Sequence, residues 1–324
     1  SRRDNIRDEG IETLNDYRFN PILDLENQYK KNFITYLQFN GFAEYEFIKN
    51  LKLKVSGGYT TDDRRDETFN NSKTRYGYPG STDGVNATLW TSEKKTWLNE
   101  NTVSYNRVFD KKHTVSGVAG VTLQESQYKY NYIYSAQIPF ESLGMAGIEN
   151  GLLSDARHRS LMTEESMVSY LGRANYNYAS KYYLTGSFRA DGSSKFHRDS
   201  RWGYFPSMST AWTISEESFF DNIKTIVPSA KARFSWGKTG NNRIGAYDRF
   251  AILKMLGATE GNYTTPKGIA DGVYPSGGNE NAVGVVPYRL GNKDLKWETT
   301  TQTNVGLDLA FLNDRITLTT DWYN

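Results

Sequence analysis

The residue types that most often carry chemistry are few in this chain and are not arranged for catalysis. Its three histidines, His113, His158 and His197, lie in separate segments, and no spacing indicates a pair of histidine and acid. Gly237-Lys238-Thr239 resembles the end of a phosphate-binding loop, but Ala232 stands where that motif needs glycine. The chain has no cysteine, which excludes thiolate metal sites and disulfides. We therefore predict no catalytic residue, no metal site, no cofactor and no enzyme activity.

Aromatic rings in long polar segments are better candidates for function, because loops on a rigid scaffold often carry recognition. The candidate substrate-binding rings are those of Tyr76, Tyr78, Tyr263 and Tyr274. Such rings can stack on sugar faces or on peptide side chains. The alternative is that they pack loop against loop and bind nothing.

The segments that must position these loops alternate apolar and polar residues, about ten times along the chain. Short joints connect them at 48–50, 110–112, 179–180 and 313–314, with a longer compact joint at 215–227. Long polar joints lie between these, at 70–94, 135–166, 192–202 and 240–296. Short and long joints in rotation are typical of an antiparallel, up-and-down transmembrane β-barrel with its long loops on one side. In the compact joint, 215–220 predicts a short helix with Ser215 as its N-cap.

The charges in the alternating segments indicate which side of the sheet meets lipid. They fall on the polar side throughout: Arg173, Arg189, Lys231, Arg233 and Asp308. A lipid-facing Arg or Lys at mid-bilayer costs about 2–4 kcal/mol, so this placement favours a membrane wall. The long runs also suit a tilted span of about 9–11 residues better than the usual strand of about 5–6. A half-buried antiparallel sheet in water also alternates and stays an alternative.

The composition excludes several other classes of protein. The net charge is +2 and the basic residues are spread out, so we expect no nucleic-acid partner. The mean hydropathy is -0.68. A membrane-spanning helix needs about 20 consecutive apolar residues, and the sequence has no such stretch. The 23 tyrosines and 7 tryptophans suit a boundary between lipid and water.

Six stretches make a family resemblance specific, and the longest of them is YYLTGSFRADGSSKF at 182–196. The others are YLGRANY at 170–176, WGYFPS at 202–207, WGKTGN at 236–241, NKDLKWE at 292–298 and LNDRI at 312–316. With these motifs, the chain from about residue 30 to its end resembles the SusC/RagA-type TonB-linked outer-membrane transporters.

The resemblance implies a large closed barrel, an N-terminal plug and a segment that contacts the TonB complex. It also implies import of glycans or peptides across the bacterial outer membrane, with a SusD-like surface lipoprotein as partner. We predict an extracellular loop region over 1–30 and a partial β-barrel domain over 31–324. The plug, the TonB-contacting segment and the final strands would be absent, which leaves 33–47 and 315–324 as sheet edges.

In such a barrel the side chains of Arg173, Arg189 and Arg233 would face the lumen, where they could line the channel or contact the plug. Two other functions stay open. One is a soluble or secreted β-sheet binding module such as an adhesin, which extraction only by detergent would exclude. The other is a passive porin, which an upstream plug would exclude.

Overall fold

A computed structural model of the chain describes residues 21–153, 158–255, 273–275, 281–283 and 285–324. In this part the helices are an α-helix, Pro21–Asn27, and three 3₁₀ helices, Glu141–Asn150, Ile214–Glu216 and Ser218–Phe220. The strands are β1 (Gln28–Ile48), β2 (Leu51–Asn70), β3 (Asn86–Phe109), β4 (His113–Ala136), β5 (Leu152–Leu153), β6 (Arg159–Tyr178), β7 (Tyr182–Ser193), β8 (Trp202–Thr213), β9 (Ser229–Asn241), β10 (Ile252–Met255), β11 (Val273–Pro275), β12 (Asn281–Val283), β13 (Val285–Arg289), β14 (Glu298–Phe311) and β15 (Ile316–Tyr323).

One antiparallel sheet contains all the long strands, in the order β1-β2-β3-β4-β6-β7-β8-β9-β14-β15, with β5 paired to β4. Consecutive long strands are neighbours, so the chain runs up and down and its long joints fall at one end. This confirms the predicted all-β, up-and-down architecture of about ten strands. Among the described residues, β1 and β15 each have a sheet neighbour on one side only, so 33–47 and 315–324 are edges, as predicted.

The tight turns at the other end use residues in the left-handed region of backbone conformation. Ala179 and Ser180 have φ values of 51° and 57°, and two positive φ values let a two-residue turn match the twist of its strands. The Asn177 Oδ1 atom accepts a hydrogen bond from Ser180 N at 3.0 Å. We call this end of the sheet the short-turn end and the opposite one the long-loop end.

Apolar packing at the long-loop end joins β1, β2 and β3 to the segment that follows β4. Phe69, Ala87 and Ile138 are buried together, and Tyr29 and Met145 pack against them. A β-sandwich buries its core between two packed sheets, whereas this cluster lies at one end of a single long sheet. In the part of the chain that the structure covers, no helix has the length and apolar character needed to cross a bilayer.

The single helix predicted after β8 is wrong in detail: two 3₁₀ helices form, separated by the extended residue Glu217, and Ser215 is buried inside the first one. Neither 3₁₀ helix has a side-chain cap. Near the N-terminus, Pro21–Asn27 is helical and β1 begins at Gln28. The division of the chain into a loop region over 1–30 and a barrel domain over 31–324 stays a prediction.

Candidate functional site

In a soluble protein the apolar face of a sheet is buried and its polar face is exposed. In this sheet the apolar face is the more exposed one. The apolar side chains of Leu184, Phe188 and Leu307 are 51%, 50% and 39% exposed. On β7, the polar residues Thr185 and Ser187 between them are less exposed than these neighbours. Side chains on the concave side of a curved sheet crowd one another, so the polar face is the concave one. The apolar face is therefore turned outward.

Aromatic side chains border the apolar face at two levels. On β8, Trp202 and Trp212 lie ten residues apart on this face, which is roughly 33 Å along a strand at 3.3 Å per residue. A strand tilt of about 40° reduces this to roughly 25 Å, the height of the apolar band of an outer-membrane barrel. Each level continues on other strands, with Trp202 stacked on Tyr170 of β6 and Trp212 on Tyr182 of β7, at 5.9 and 6.4 Å between ring centroids.

The apolar face has an exception on β3, where Asn99 and Asn101 lie opposite Gly57 and Val55 of β2. Asn101 Nδ2 donates to Asn99 Oδ1 at 2.6 Å, and Asn99 Nδ2 donates to the Ser56 carbonyl at 3.1 Å. Because these amide groups are hydrogen-bonded and uncharged, exposing them to lipid costs less than exposing an arginine.

The three lumen-facing arginine candidates do lie on the concave polar face, but they are in different states. Arg189 Nε donates to both carboxylate oxygens of Asp191 at 2.7 and 2.9 Å, and its Nη2 donates to Ser169 Oγ at 3.0 Å. Arg233 binds Asp308 in a bidentate pair at 2.7 and 2.9 Å and also contacts Asp321 at 3.2 Å.

Arg173 differs from these two arginines. Its side chain is exposed and makes no hydrogen bond or ion pair with any residue that the structure describes. Register places it opposite Ser187 of β7 and Val118 of β4, in the middle of the concave face. Of the three candidates, it is therefore the one whose guanidinium group is available to another molecule.

A cavity of about 300 Å³ opens on the concave face toward the long-loop end. Its lining includes Gln124, Glu165, Asp191, Lys195, Asn242 and Trp297. Lys195 Nζ and Glu165 Oε2 form an ion pair at 2.9 Å. The side-chain amides of Gln124 and Asn242 have no hydrogen-bond partner in the described part of the chain. The cavity thus offers uncharged donors and acceptors beside a charged pair, which suits a polar ligand.

Trp297 holds the long-loop side of this cavity together. Its ring centroid lies 5.3 Å from that of Phe196 and 5.4 Å from that of Phe205. Its Nε1 atom donates to the Arg201 carbonyl at 2.9 Å. Four of the sequence motifs, at 182–196, 202–207, 236–241 and 292–298, therefore supply residues to the cavity or to the aromatic cluster beside it.

Sequence reasoning did not find this cavity. It singled out Arg189 but none of the lining residues, which come from β4, β6, β7, β9 and the joints after β7, after β9 and before β14. The available signal was the motifs themselves, because they are separate in sequence and share one place in the fold.

Of the four tyrosine candidates, the two whose side chains are described, Tyr76 and Tyr78, do not line the cavity. Tyr76 is exposed at the long-loop end, with the Arg75 guanidinium 5.7 Å from its ring centroid. Tyr78 is half-buried, and its ring lies over Gly80. Tyr263 lies outside the described residues, and only the backbone of Tyr274, in β11, is described.

Two histidines form contacts of ordinary kinds. His113 Nδ1 lies 2.7 Å from the Tyr176 hydroxyl. His197 Nδ1 lies 3.2 Å from Asp199 Oδ2, so the expectation that no histidine pairs with an acid is wrong. The Asp199 side chain is mostly exposed, so this is a surface pair between residues two apart in sequence. The described residues contain no group of three or more histidines or acids that could hold a metal ion.

Comparison with known proteins gives a consistent result. A family model described as TonB dependent receptor-like, beta-barrel matches residues 2–324. TonB-dependent receptor P3 of Formosa agariphila is 31% identical over 284 residues, which cover 88% of this chain and 26% of that protein. TonB-dependent receptor SusC of Bacteroides thetaiotaomicron is 36% identical over 226 residues, which cover 61% of this chain and 21% of that protein.

A solved structure of the RagAB peptide transporter superimposes with a TM-score of 0.75 at 22% identity. The match covers 92% of this chain and 30% of the RagAB chain. At this identity the match concerns the fold. The matched part of this chain spans 26% of the length of receptor P3 and 21% of the length of SusC.

Proposed function

This chain belongs to the TonB-dependent receptor family, in its β-barrel part, and from that membership we propose that it forms part of the wall of an outer-membrane importer of oligomeric nutrients. The observation that supports this proposal most directly is that the apolar face of the sheet is its exposed, outward face. Its outward face is apolar and bordered by aromatic rings, and its concave face holds the arginines and the cavity. An importer needs this arrangement, because lipid contacts one face of its wall and hydrated cargo passes along the other.

In the full-length receptor, further strands would pair with β1 and β15 and close the barrel, and a plug would fill part of its lumen. A segment outside this chain would contact the TonB complex. A SusD-like surface lipoprotein would cover the long-loop end. Similarity to the receptor named SusC and to the fold of a transporter named for peptides supports glycans or peptides as the cargo.

Cargo contact would occur on the concave face. Arg173 and the amides of Gln124 and Asn242 are among the polar groups there that the described residues leave without partners. Arg189 and Arg233 would instead hold the wall together, because carboxylates already occupy their donors. Tyr76, Tyr78, Tyr263 and Tyr274 stay candidates for contact with cargo or lipoprotein at the long-loop end.

Uptake by the source bacterium tests this function. Cells are offered a panel of fluorescently labelled oligosaccharides and oligopeptides, with the gene for the full-length receptor deleted or present. We expect the deletion to abolish uptake of one class of oligomer and to leave monomer uptake unchanged. Loss of TonB should give the same result.

The two other functions predict different results. A passive porin would continue to admit the oligomer in cells without TonB. An adhesin would leave all uptake unchanged when deleted and would be recovered without detergent. Either outcome would overturn the proposal.

A further inference from the structure

The joint between β8 and β9 is longer than the other short joints and is wound into a compact unit. We call residues 214–227 the foot. After its two 3₁₀ helices, the chain continues with turn hydrogen bonds from Lys224 N to the Phe220 carbonyl at 3.1 Å and from Val227 N to the Ile223 carbonyl at 2.9 Å. The foot therefore has a defined shape.

Glu217 attaches the foot to the outer face of the wall. Its Oε1 atom accepts hydrogen bonds from the Tyr182 hydroxyl at 2.6 Å and from Trp212 Nε1 at 3.1 Å. Its Oε2 atom lies 3.4 Å from Lys181 Nζ. Tyr182 and Trp212 are outward-facing residues of β7 and β8. The foot therefore folds outward, beside the wall, and does not lie beneath the lumen.

The same hydrogen bonds favour the charged form of the Glu217 carboxylate. Bonds from Tyr182 first, and then from Trp212, lower the pKa of Glu217 below the usual value for glutamate. Stabilisation of the ionised form outweighs the opposing effect of burial.

One side of the foot is apolar and exposed. Phe219 and Ile226 are 63% and 64% exposed, and Ile223 between them is also exposed. Spacings of four and three residues place side chains on one side of a helically wound chain. Polar residues occupy other positions, including the ion pair of Glu216 with Lys224 at 3.3 Å. The foot is thus amphipathic.

The apolar side of the foot continues the apolar outer face of the wall. The Phe219 ring lies edge-on to Trp212, at 6.3 Å between centroids. Trp212 in turn belongs to the aromatic border at the short-turn end. The apolar side of the foot and the lipid-facing side of the wall therefore form one continuous apolar surface, and we call the part on the foot the apolar stripe.

We propose that the foot is an interfacial anchor that inserts Phe219, Ile223 and Ile226 into the phospholipid leaflet at the short-turn end of the barrel. The Glu217 clamp sets the angle at which this apolar stripe meets the lipid. Short amphipathic segments lie in the boundary between headgroups and acyl chains in this way, with their polar side in water. The occupant is lipid because the stripe is continuous with the face that lipid already covers.

Quenching by lipid tests this directly. This part of the receptor has no cysteine, so single cysteines are introduced in the full-length receptor, with any others removed, and labelled with bimane. The variants Phe219→Cys, Ile226→Cys and Asp221→Cys are reconstituted in phosphatidylglycerol vesicles whose acyl chains carry bromine. Asp221 is exposed and lies two residues from both Phe219 and Ile223, which places it on the other side of a helically wound chain. Phe140→Cys is the matched control, since Phe140 is 62% exposed at the long-loop end.

We expect brominated lipid to quench bimane at 219 and 226 several-fold more strongly than at 221 and 140, and iodide in the water to show the opposite order. The proposal is overturned if all four labels are quenched by iodide alone, the result if another protein or nothing covers the stripe. Heat-modifiable mobility on gels verifies that each variant is folded. If the Phe219→Cys variant does not fold, quenching at position 226 tests the proposal. This experiment does not measure cargo uptake, so its result is independent of whether the proposed importer function is correct.

Discussion

The outward and concave faces of this sheet have the same backbone and strands but opposite chemistry. The outward face exposes Leu184, Phe188 and Leu307, while the concave face holds Arg189, Arg233 and their carboxylate partners. In water the exposed apolar face would be a defect, since folding normally removes such surface from the solvent. The difference is the one expected of a barrel wall whose outward face contacts lipid and whose other face contacts water.

The largest effect we predict comes from placing a charge on the wrong face. Phe188→Arg on the outward face should lower the free energy of unfolding in a bilayer by about 2–4 kcal/mol. Thr185→Arg, on the concave face of the same strand, should cost only the hydrogen bond that the Thr185 hydroxyl donates to Asn175 Oδ1, about 0.5–1.5 kcal/mol, because that face is hydrated. Urea titration of the full-length receptor in vesicles measures both. Equal effects of the two substitutions would remove the distinction between the faces.

A second effect separates the arginines within the concave face. Arg233→Ala leaves Asp308 and Asp321 without their shared partner, and hydrogen bonds to charged groups are typically worth 1.5–3 kcal/mol. Because the Arg233 side chain is 34% exposed, solvent screening reduces the expected loss to about 1–2 kcal/mol. Arg173→Ala removes no such bond and should leave stability unchanged. The same titration compares them, and a larger loss from Arg173→Ala would contradict the assignment.

The cavity should respond in function and not in stability. Replacing Gln124 and Asn242 together by alanine should weaken binding of the transported oligomer about five- to 140-fold, because the two amide hydrogen bonds together contribute about 1–3 kcal/mol. Calorimetric titration of the purified receptor measures the affinity. A matched control is Asn177→Ala, at the short-turn end. Unchanged affinity in the double variant would place the cargo elsewhere.

The smallest effect concerns pH at the foot. Because the folded-state pKa of Glu217 is lowered, its clamp is fully formed above the usual pKa of glutamate and is lost as the pH falls through the lowered value. Quenching of bimane at position 226 by brominated lipid should therefore decrease only in strong acid. The Glu217→Gln variant should show no such pH step. A loss of quenching near neutral pH would contradict the role given to this carboxylate.

Much of the fold was readable from sequence because it is local. A period of two residues and a tight joint such as Ala179-Ser180 together determine a hairpin and the face on which each residue lies. The register places Leu184 and Phe234 on one face of the sheet and Arg189 and Arg233 on the other, as the alternation predicts. The direction of sheet curvature, which decides the exposure of each face, emerges only in the folded chain.

The site was less predictable because its parts are distant in sequence. Asp308 is 75 residues from Arg233, and Trp297 is 96 residues from Arg201. By charge and position on a strand alone, Arg173, Arg189 and Arg233 are equivalent candidates for the lumen-facing site. Their difference depends on acids that only strand pairing brings near. The foot was misjudged for a related reason, since Glu217 bonds to side chains of two strands and interrupts the helix that its neighbours favour.

Collision accessibility along β7 tests most directly whether the outward, apolar face of the sheet contacts lipid. A nitroxide is placed in turn at positions 184 to 189 of the full-length receptor in phospholipid vesicles, and its collision rates with oxygen and with a water-soluble nickel chelate are measured. The account predicts a period of two, with oxygen favoured at Leu184, Gly186 and Phe188 and nickel favoured at Thr185, Ser187 and Arg189. A reversed phase, or nickel access at all six positions, would contradict it.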